Sequence, residues 1–271
     1  YLWEFREISG GFIRMAQRLQ CSRNLRNLLK ITDMWCKIYW NSIFTAINLI
    51  VSFDKKLIEV FFLSFKVTII ALFISCLIGL PLGTFFATQR FKGRNLLIGI
   101  INSLMSLPPV VVGLFVYINL SRSGPFGWLG ILYTPTAMII AQIILILPII
   151  AGLTTQIIED LQESYNDLFV SLVTPKVTTI KAYIIDARYS LITVVLAGLA
   201  KGISEVGAVI IVGGNIDHLT RVMTTTITME TSKGELSLAL ALGIILLITS
   251  ITINLIVTYK KYNIKDRYYG K

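Results

Sequence analysis

The chain has 271 residues, 55% of them hydrophobic and only 15% charged, and a mean hydropathy of +0.74. A water-soluble domain carries nearer a quarter charged residues, so this chain holds more apolar surface than one soluble core can hide, and membrane spans set its architecture. The formal charge of +10 does not point to nucleic acid, because the basic residues form short clusters between long apolar runs, which is the pattern of membrane topology signals.

Residues 1–33 are rich in arginine (Arg6, Arg14, Arg18, Arg23, Arg26), with Ile8, Phe12, Met15 and Leu19 at amphipathic spacing. They lack the apolar core of a secretory signal. Two readings stay open: a helix lying on the membrane surface, or mistranslated upstream sequence ahead of a start at Met34. Ile38–Phe53 is uncharged but only 16 residues long and holds Asn41 and Asn48. A bilayer core takes about 20 apolar residues per helix, so we read 1–54 as a basic extension followed by an interfacial segment. If Ile38–Phe53 did span, the count would rise from five to six and the N-terminus would lie inside.

Five spans are expected, at about 62–88, 95–120, 133–157, 189–212 and 236–259. The second carries Pro108 and Pro109 within an uncharged run; the fourth carries two charges. The short loop with Arg90, Lys92 and Arg94 contains no acid, and the 261–271 tail is basic. Both should be cytoplasmic by the positive-inside rule. The 122–132 loop, with Arg122 alone, and the 213–235 connection then fall outside. Cys21, Cys36 and Cys76 have no metal or redox spacing, and a lone His218 gives no ligand set or triad. No metal or catalytic site is expected.

The stretch from Glu159 to Arg188 is too polar to cross a bilayer. It reads as two short amphipathic helices, with Leu161, Tyr165, Leu168 and Leu172 at helical spacing in the first. Pro175 suits the first position of the second helix, Thr174 its N-cap, and Val173, Val177, Ile180 and Ile184 form one apolar stripe across the join. Such an elbow offered to the cytoplasm is either a docking surface or an ordinary membrane-lying loop.

Lys201 and Glu205 lie within the fourth span at i, i+4. Intramembrane charges face a cavity, a partner or each other. Gly198, Ala200, Gly202, Ser204, Gly207 and Ala208 around them permit close helix approach. The span ends in Gly213, Gly214 and Asn215, a turn whose amides can face an anion. Arg221 and the hydroxyls of Thr224, Thr225, Thr226 and Thr228 follow. This seam is a candidate polar pathway for an oxyanion; the plainer reading is a self-satisfied ion pair and an external loop. No phosphate-loop motif is present, so ATP hydrolysis by that route belongs to another chain.

The segment ISEVGAVIIVGGNIDHLTRVMTTTITMETSKGELSLALALG (203–243) resembles the membrane permeases of tungstate importers, in the molybdate/tungstate/sulfate branch of type I ATP-binding-cassette importers. LPPVVVGLFVYINLSRSGPFGWLGILYTPTAMIIAQ (107–142), LPI (147–149) and IGLPLGTFFA (78–87) are similar to the same branch, and the resemblance covers roughly 55–260. It implies an all-α, polytopic helical bundle with the type I permease fold in the cytoplasmic membrane. It also implies a homodimer, two cytoplasmic ATPase subunits that carry ATP and magnesium, and an external oxyanion-binding protein. No cofactor belongs to this chain. The elbow then corresponds to the segment that docks on the ATPase. Asp167 retains that segment's acid, while Val173 stands where the family has glycine, which puts the elbow's geometry in question. Glu205, Gly207, Gly213, Gly214 and Asn215 match the family's pathway-lining stretch. A stand-alone channel or ion-coupled carrier is the alternative, and a membrane enzyme is a weaker third.

Overall fold

The computed structural model describes residues 55–269 and, before them, residues 40, 43–45, 47, 48 and 52. The readings made for residues 1–33 lie outside the described residues, and that for Ile38–Phe53 lies largely outside them. Eight α-helices follow Lys55: α1 Lys55–Thr88, α2 Arg94–Leu104, α3 Pro109–Leu120, α4 Pro135–Ser171, α5 Lys176–Ser204, α6 Gly207–Gly213, α7 Met223–Lys233 and α8 Leu236–Tyr269. A single 3₁₀ turn, Gly127–Leu129, lies between α3 and α4, and no strand occurs among the described residues. Helices are the expected solution, because hydrocarbon offers the backbone no partner and a helix satisfies its own amides and carbonyls.

Among the described residues four helices are long and apolar enough to cross a membrane: Leu57–Thr88, Pro135–Tyr165, Thr178–Ser204 and Leu236–Tyr259; α2 with α3 forms a fifth candidate, broken and bent by 99°. The second span expected over 95–120 is thus two helices set at an angle, divided at the prolines noted in its sequence. Proline has no amide to donate, and its ring restricts the residue before it. Pro108 takes an extended conformation and Pro109 opens α3. The fourth span is also displaced, starting at Thr178 and ending at Ser204 instead of running to Val212. The C-terminal basic segment is not a separate tail, since α8 continues through it to Tyr269.

Helix α4 is the central post: 56% of its apolar window is buried, against 11% for α8. It runs parallel to α1 in a constant register. Val67 packs with Met138, Gly79 meets Ile150, and Gly83 sits under Ala151 and Thr154. A Cβ on Gly83 would lie 2.5 Å from the Ala151 carbonyl oxygen, so only glycine permits this approach. The Thr155 hydroxyl lies 3.2 Å from the Gly83 carbonyl in the same contact. Helix α5 returns antiparallel, with Gly198 and Gly202 against Ile146 and Tyr183 buried beside Ile158 and Ala87. Helices α3 and α6 pack together on the outer half of α4 through Val112, Val116, Ala137, Ala141, Ala208 and Val212.

A candidate translocation seam and a cytoplasmic elbow

The helical path of α5 stops at Ser204. Glu205 has extended backbone (φ −75°, ψ 126°), and α6 begins again at Gly207. Lys201 and Glu205 are thus not two mid-helix charges; the acid is the break itself. Its side chain is 4% exposed and faces Lys201 Nζ at 3.7 Å. The other carboxylate oxygen accepts the Ala208 amide at 3.2 Å, satisfying an orphan donor at the start of α6. The Glu205 carbonyl, freed by the break, accepts the Thr224 hydroxyl at 2.9 Å. One residue therefore ties α5, α6 and α7 together. Gly207 lies directly on Val110 at the start of α3, where a Cβ would come within 2.8 Å of Cγ2.

Beside the break is a narrow cleft whose polar lining is Ser64, Thr68, Gln142, Glu205, Thr224 and Thr249. Gln142 is 4% exposed. Its amide nitrogen donates to the Gly202 carbonyl at 3.3 Å, while its oxygen has no hydrogen-bond partner. Ser64 accepts the Met223 amide at 2.7 Å and so seats α7 against α1. The 213–235 connection therefore returns to the depth of the α5 break. Gln142, Ser64, Thr68 and Thr249 were missed in the sequence, because single polar residues in three separate apolar runs carry no local signal.

The turn that follows α6 has left-handed Gly214 (φ 68°) and Asn215 (φ 51°). Its polar groups are turned onto one another. The Gly214 amide donates to Ile210, and the Gly213 carbonyl accepts the Thr220 hydroxyl at 2.5 Å. Thr225 Oγ1 lies 2.9 Å from Asn215 Oδ1 and accepts the Val222 amide at 3.1 Å. Gly213, Gly214, Asn215 and Thr225 therefore build the turn, and of the two threonines Thr224 alone reaches the cleft. Arg221 is paired with Asp217 at 2.7 Å. His218 Nδ1 lies 2.8 Å from Glu59 Oε2, linking this turn to the outer end of α1.

At the opposite end, α4 and α5 form one long hairpin. The elbow is not two short helices but the four-residue tip, Leu172–Pro175, of two membrane-crossing ones. The Thr174 amide reaches back to the Phe169 carbonyl at 3.1 Å, and Val173 between them has φ 48°. This is the Schellman arrangement, whose left-handed position glycine normally takes. Val173 thus takes a conformation that glycine adopts without strain. Thr174 does not cap α5; Pro175 occupies that position, and its carbonyl accepts the Thr179 amide. Leu172 and Val173 are 65% and 86% exposed. Val177 lies in the first turn of α5. Ile180 lines an apolar groove together with Leu80, Pro81 and Phe85 of α1. Asp167 lines a polar cleft with Arg90, Arg94, Glu159 and Glu163.

Broken helices surround a buried polar seam, and a helical hairpin at the other end projects an exposed tip. No group of three or more potential metal ligands occurs among the described residues. The family of binding-protein-dependent transport system inner membrane components matches residues 79–261, and the chain belongs to it. The chain is 42% identical over 212 residues to the tungstate uptake system permease protein TupB of Peptoclostridium acidaminophilum, covering 78% of this chain and 93% of that one. It is 36% identical over 203 residues to a probable anion ABC transporter permease protein of Haloferax volcanii, covering 73% and 88%. The crystal structure of a bacterial ABC transporter that imports the acidic polysaccharide alginate shares the fold with a TM-score of 0.65 at 17% identity, over 93% of this chain and 99% of that one. The expected fold, an all-α permease of the ABC importer type, is the observed one.

Proposed function

We propose that this chain carries tungstate, with molybdate and sulfate as chemically related alternatives, across the cytoplasmic membrane as one half of a homodimeric permease. Two cytoplasmic ATPase subunits bind ATP and magnesium and drive it, and an external binding protein delivers the anion. The observation that carries the substrate is the 42% identity to a tungstate permease along nearly the whole of that protein. The exposed apolar tip Leu172–Val173 on the α4–α5 hairpin supports a separate motor, since a carrier driven by an ion gradient has no need of a protruding apolar knuckle. In this reading Asp167, Val173, Thr174, Pro175, Val177 and Ile180 form or brace the docking hairpin. Lys201, Glu205, Gly207 and Thr224 line or shape the pathway, and Gly213, Gly214, Asn215 and Thr225 hold the turn above it.

A tetrahedral dianion cannot be given a fixed, desolvated cation along its route without being trapped. Paired Lys201 and the neutral hydroxyls of Ser64, Thr68, Thr224 and Thr249 suit passage better than retention. The test is co-purification of the tagged chain with the products of its genomic neighbours, followed by uptake into liposomes. ATP-dependent tungstate uptake by a complex holding a phosphate-loop ATPase is the expected result. Anion transport by the chain alone, without ATP, would overturn the proposal in favour of a carrier.

A further inference from the structure

Helix α2 buries none of its side chains, yet it leads into the 99° break that positions α3. At its far end it rests on α4, where Ile101, Asn102 and Met105 surround Gly152. At its near end Phe91, just before it, packs on Phe85 and Phe86 of α1, and Arg94 makes the polar tie. Arg94 Nε donates to the Phe86 carbonyl at 2.6 Å and Nη2 to the Ala87 carbonyl at 3.3 Å, in the last turn of α1. The same guanidinium is paired with the Glu159 carboxylate of α4. Carbonyls at a helix end have no intrahelical partner, and a planar guanidinium with several fixed donors can serve them and a carboxylate together. The pair is partly exposed, with side chains 21% and 36% exposed, and it borders a polar cleft with Arg90, Glu163 and Asp167.

The position on α4 matters. Glu159 lies 12 residues before the end of α4 at Ser171, so at 1.5 Å per residue the elbow tip is about 18 Å away along a continuous helix. We propose that Arg94 is a positioning residue for coupling. It locks the cytoplasmic ends of α1 and α2 to α4, so that a displacement imposed at the elbow moves α2, and through the break α3 and α6, instead of bending α4 alone. The inference rests on the importer reading above.

The test uses the full permease–ATPase complex in liposomes loaded with tungstate on the binding-protein side. Arg94→Gln and Glu159→Gln are each compared with wild type for tungstate moved per ATP hydrolysed. The double variant completes a cycle, and Lys92→Gln removes a charge from the same loop as a control. Either single variant should keep its ATPase and hydrolyse ATP, but lose at least about five-fold in tungstate per ATP, the low end of energetic coupling between sites. The double variant should be no worse than Arg94→Gln, because the two act as one unit. Lys92→Gln should match wild type. An unchanged ratio in Arg94→Gln, or losses that add in the double variant, overturns the inference while the importer reading stands. A wild-type chain that retains no ATPase overturns both.

Discussion

Val173 is the sharpest place to test the elbow. It holds φ 48°, a conformation that costs an L-residue about 1–2 kcal/mol and is more unusual still for a β-branched one. Its side chain is 86% exposed, so nothing within this chain offsets that strain by burial. Val173→Gly removes the cost and adds back about 0.5–1 kcal/mol of chain entropy. The net gain is about 1 kcal/mol, or roughly five-fold in the local opening equilibrium. Hydrogen exchange should report it at the Thr174 amide, which is bonded to Phe169 across the turn. Protection of the 168–178 segment should rise by about that factor in detergent, and Val173→Asn, which also tolerates the left-handed region, should follow in the same direction. Unchanged or faster exchange in both variants would refute the strain argument. ATPase retention gives the complementary reading. If the valine is a docking contact, the more stable glycine elbow should hold its partner less tightly.

Three further outcomes follow from the packing. Glu205→Ala leaves the Ala208 amide and Lys201 without their partner, a local cost of about 1–3 kcal/mol; uptake should fall while the complex still elutes intact, and normal uptake would make the acid merely structural. Gly83→Val places side-chain atoms onto the Ala151 carbonyl, and overpacking of about 1–3 kcal/mol should lower the melting temperature of the purified chain; an unshifted melt would contradict the close α1–α4 contact. Leu172→Asp changes a side chain that is 65% exposed, so thermal stability should be preserved while ATPase retention is lost, and retention at wild-type levels would sink the docking role.

Much of this molecule was legible because the bilayer imposes a single strong rule. Uncharged runs such as Val67–Thr88 must be helical. Breaks were harder. Pro108-Pro109 was visible as a pair, yet an uncharged run reads as one span, and nothing local says by how much the chain turns there. The α5 break was hidden more deeply. Glu205 has no local signal as a helix stop: Lys201 and Ala208 beside it in the chain meet its carboxylate, but the Thr224 hydroxyl that takes up its freed carbonyl comes from another helix. Gln142 illustrates the same limit, since its partner is the Gly202 carbonyl sixty residues away. The hydroxyl run after Gly214 was correctly seen as polar. Its assignment to an open anion path treated Thr224 and Thr225 alike, whereas adjacent residues on one helix face different directions, and Thr225 is wholly buried in the turn.

The two breaks are also not independent of each other. The start of α3 at Val110 touches the start of α6 at Gly207, and three residues further along α3 a Cβ on Gly113 would lie 2.7 Å from the Ala208 Cα. Backbones this close cannot slide past one another without exchanging their contacts, because packed interiors do not deform continuously. A rotation of α3 about the Met105–Pro108 link therefore has to carry α6 with it about the Glu205–Val206 link. The polar cleft lies beside that second link, lined by Glu205 and Thr224. A motion that enters at the α4–α5 hairpin and reaches α3 would thus reshape the seam where a buried carboxylate, an unpartnered glutamine oxygen and a set of hydroxyls meet. Elsewhere, the contacts between α1, α4 and α5 are mainly apolar, through clusters such as Ala71, Ile146, Ile150 and Val194.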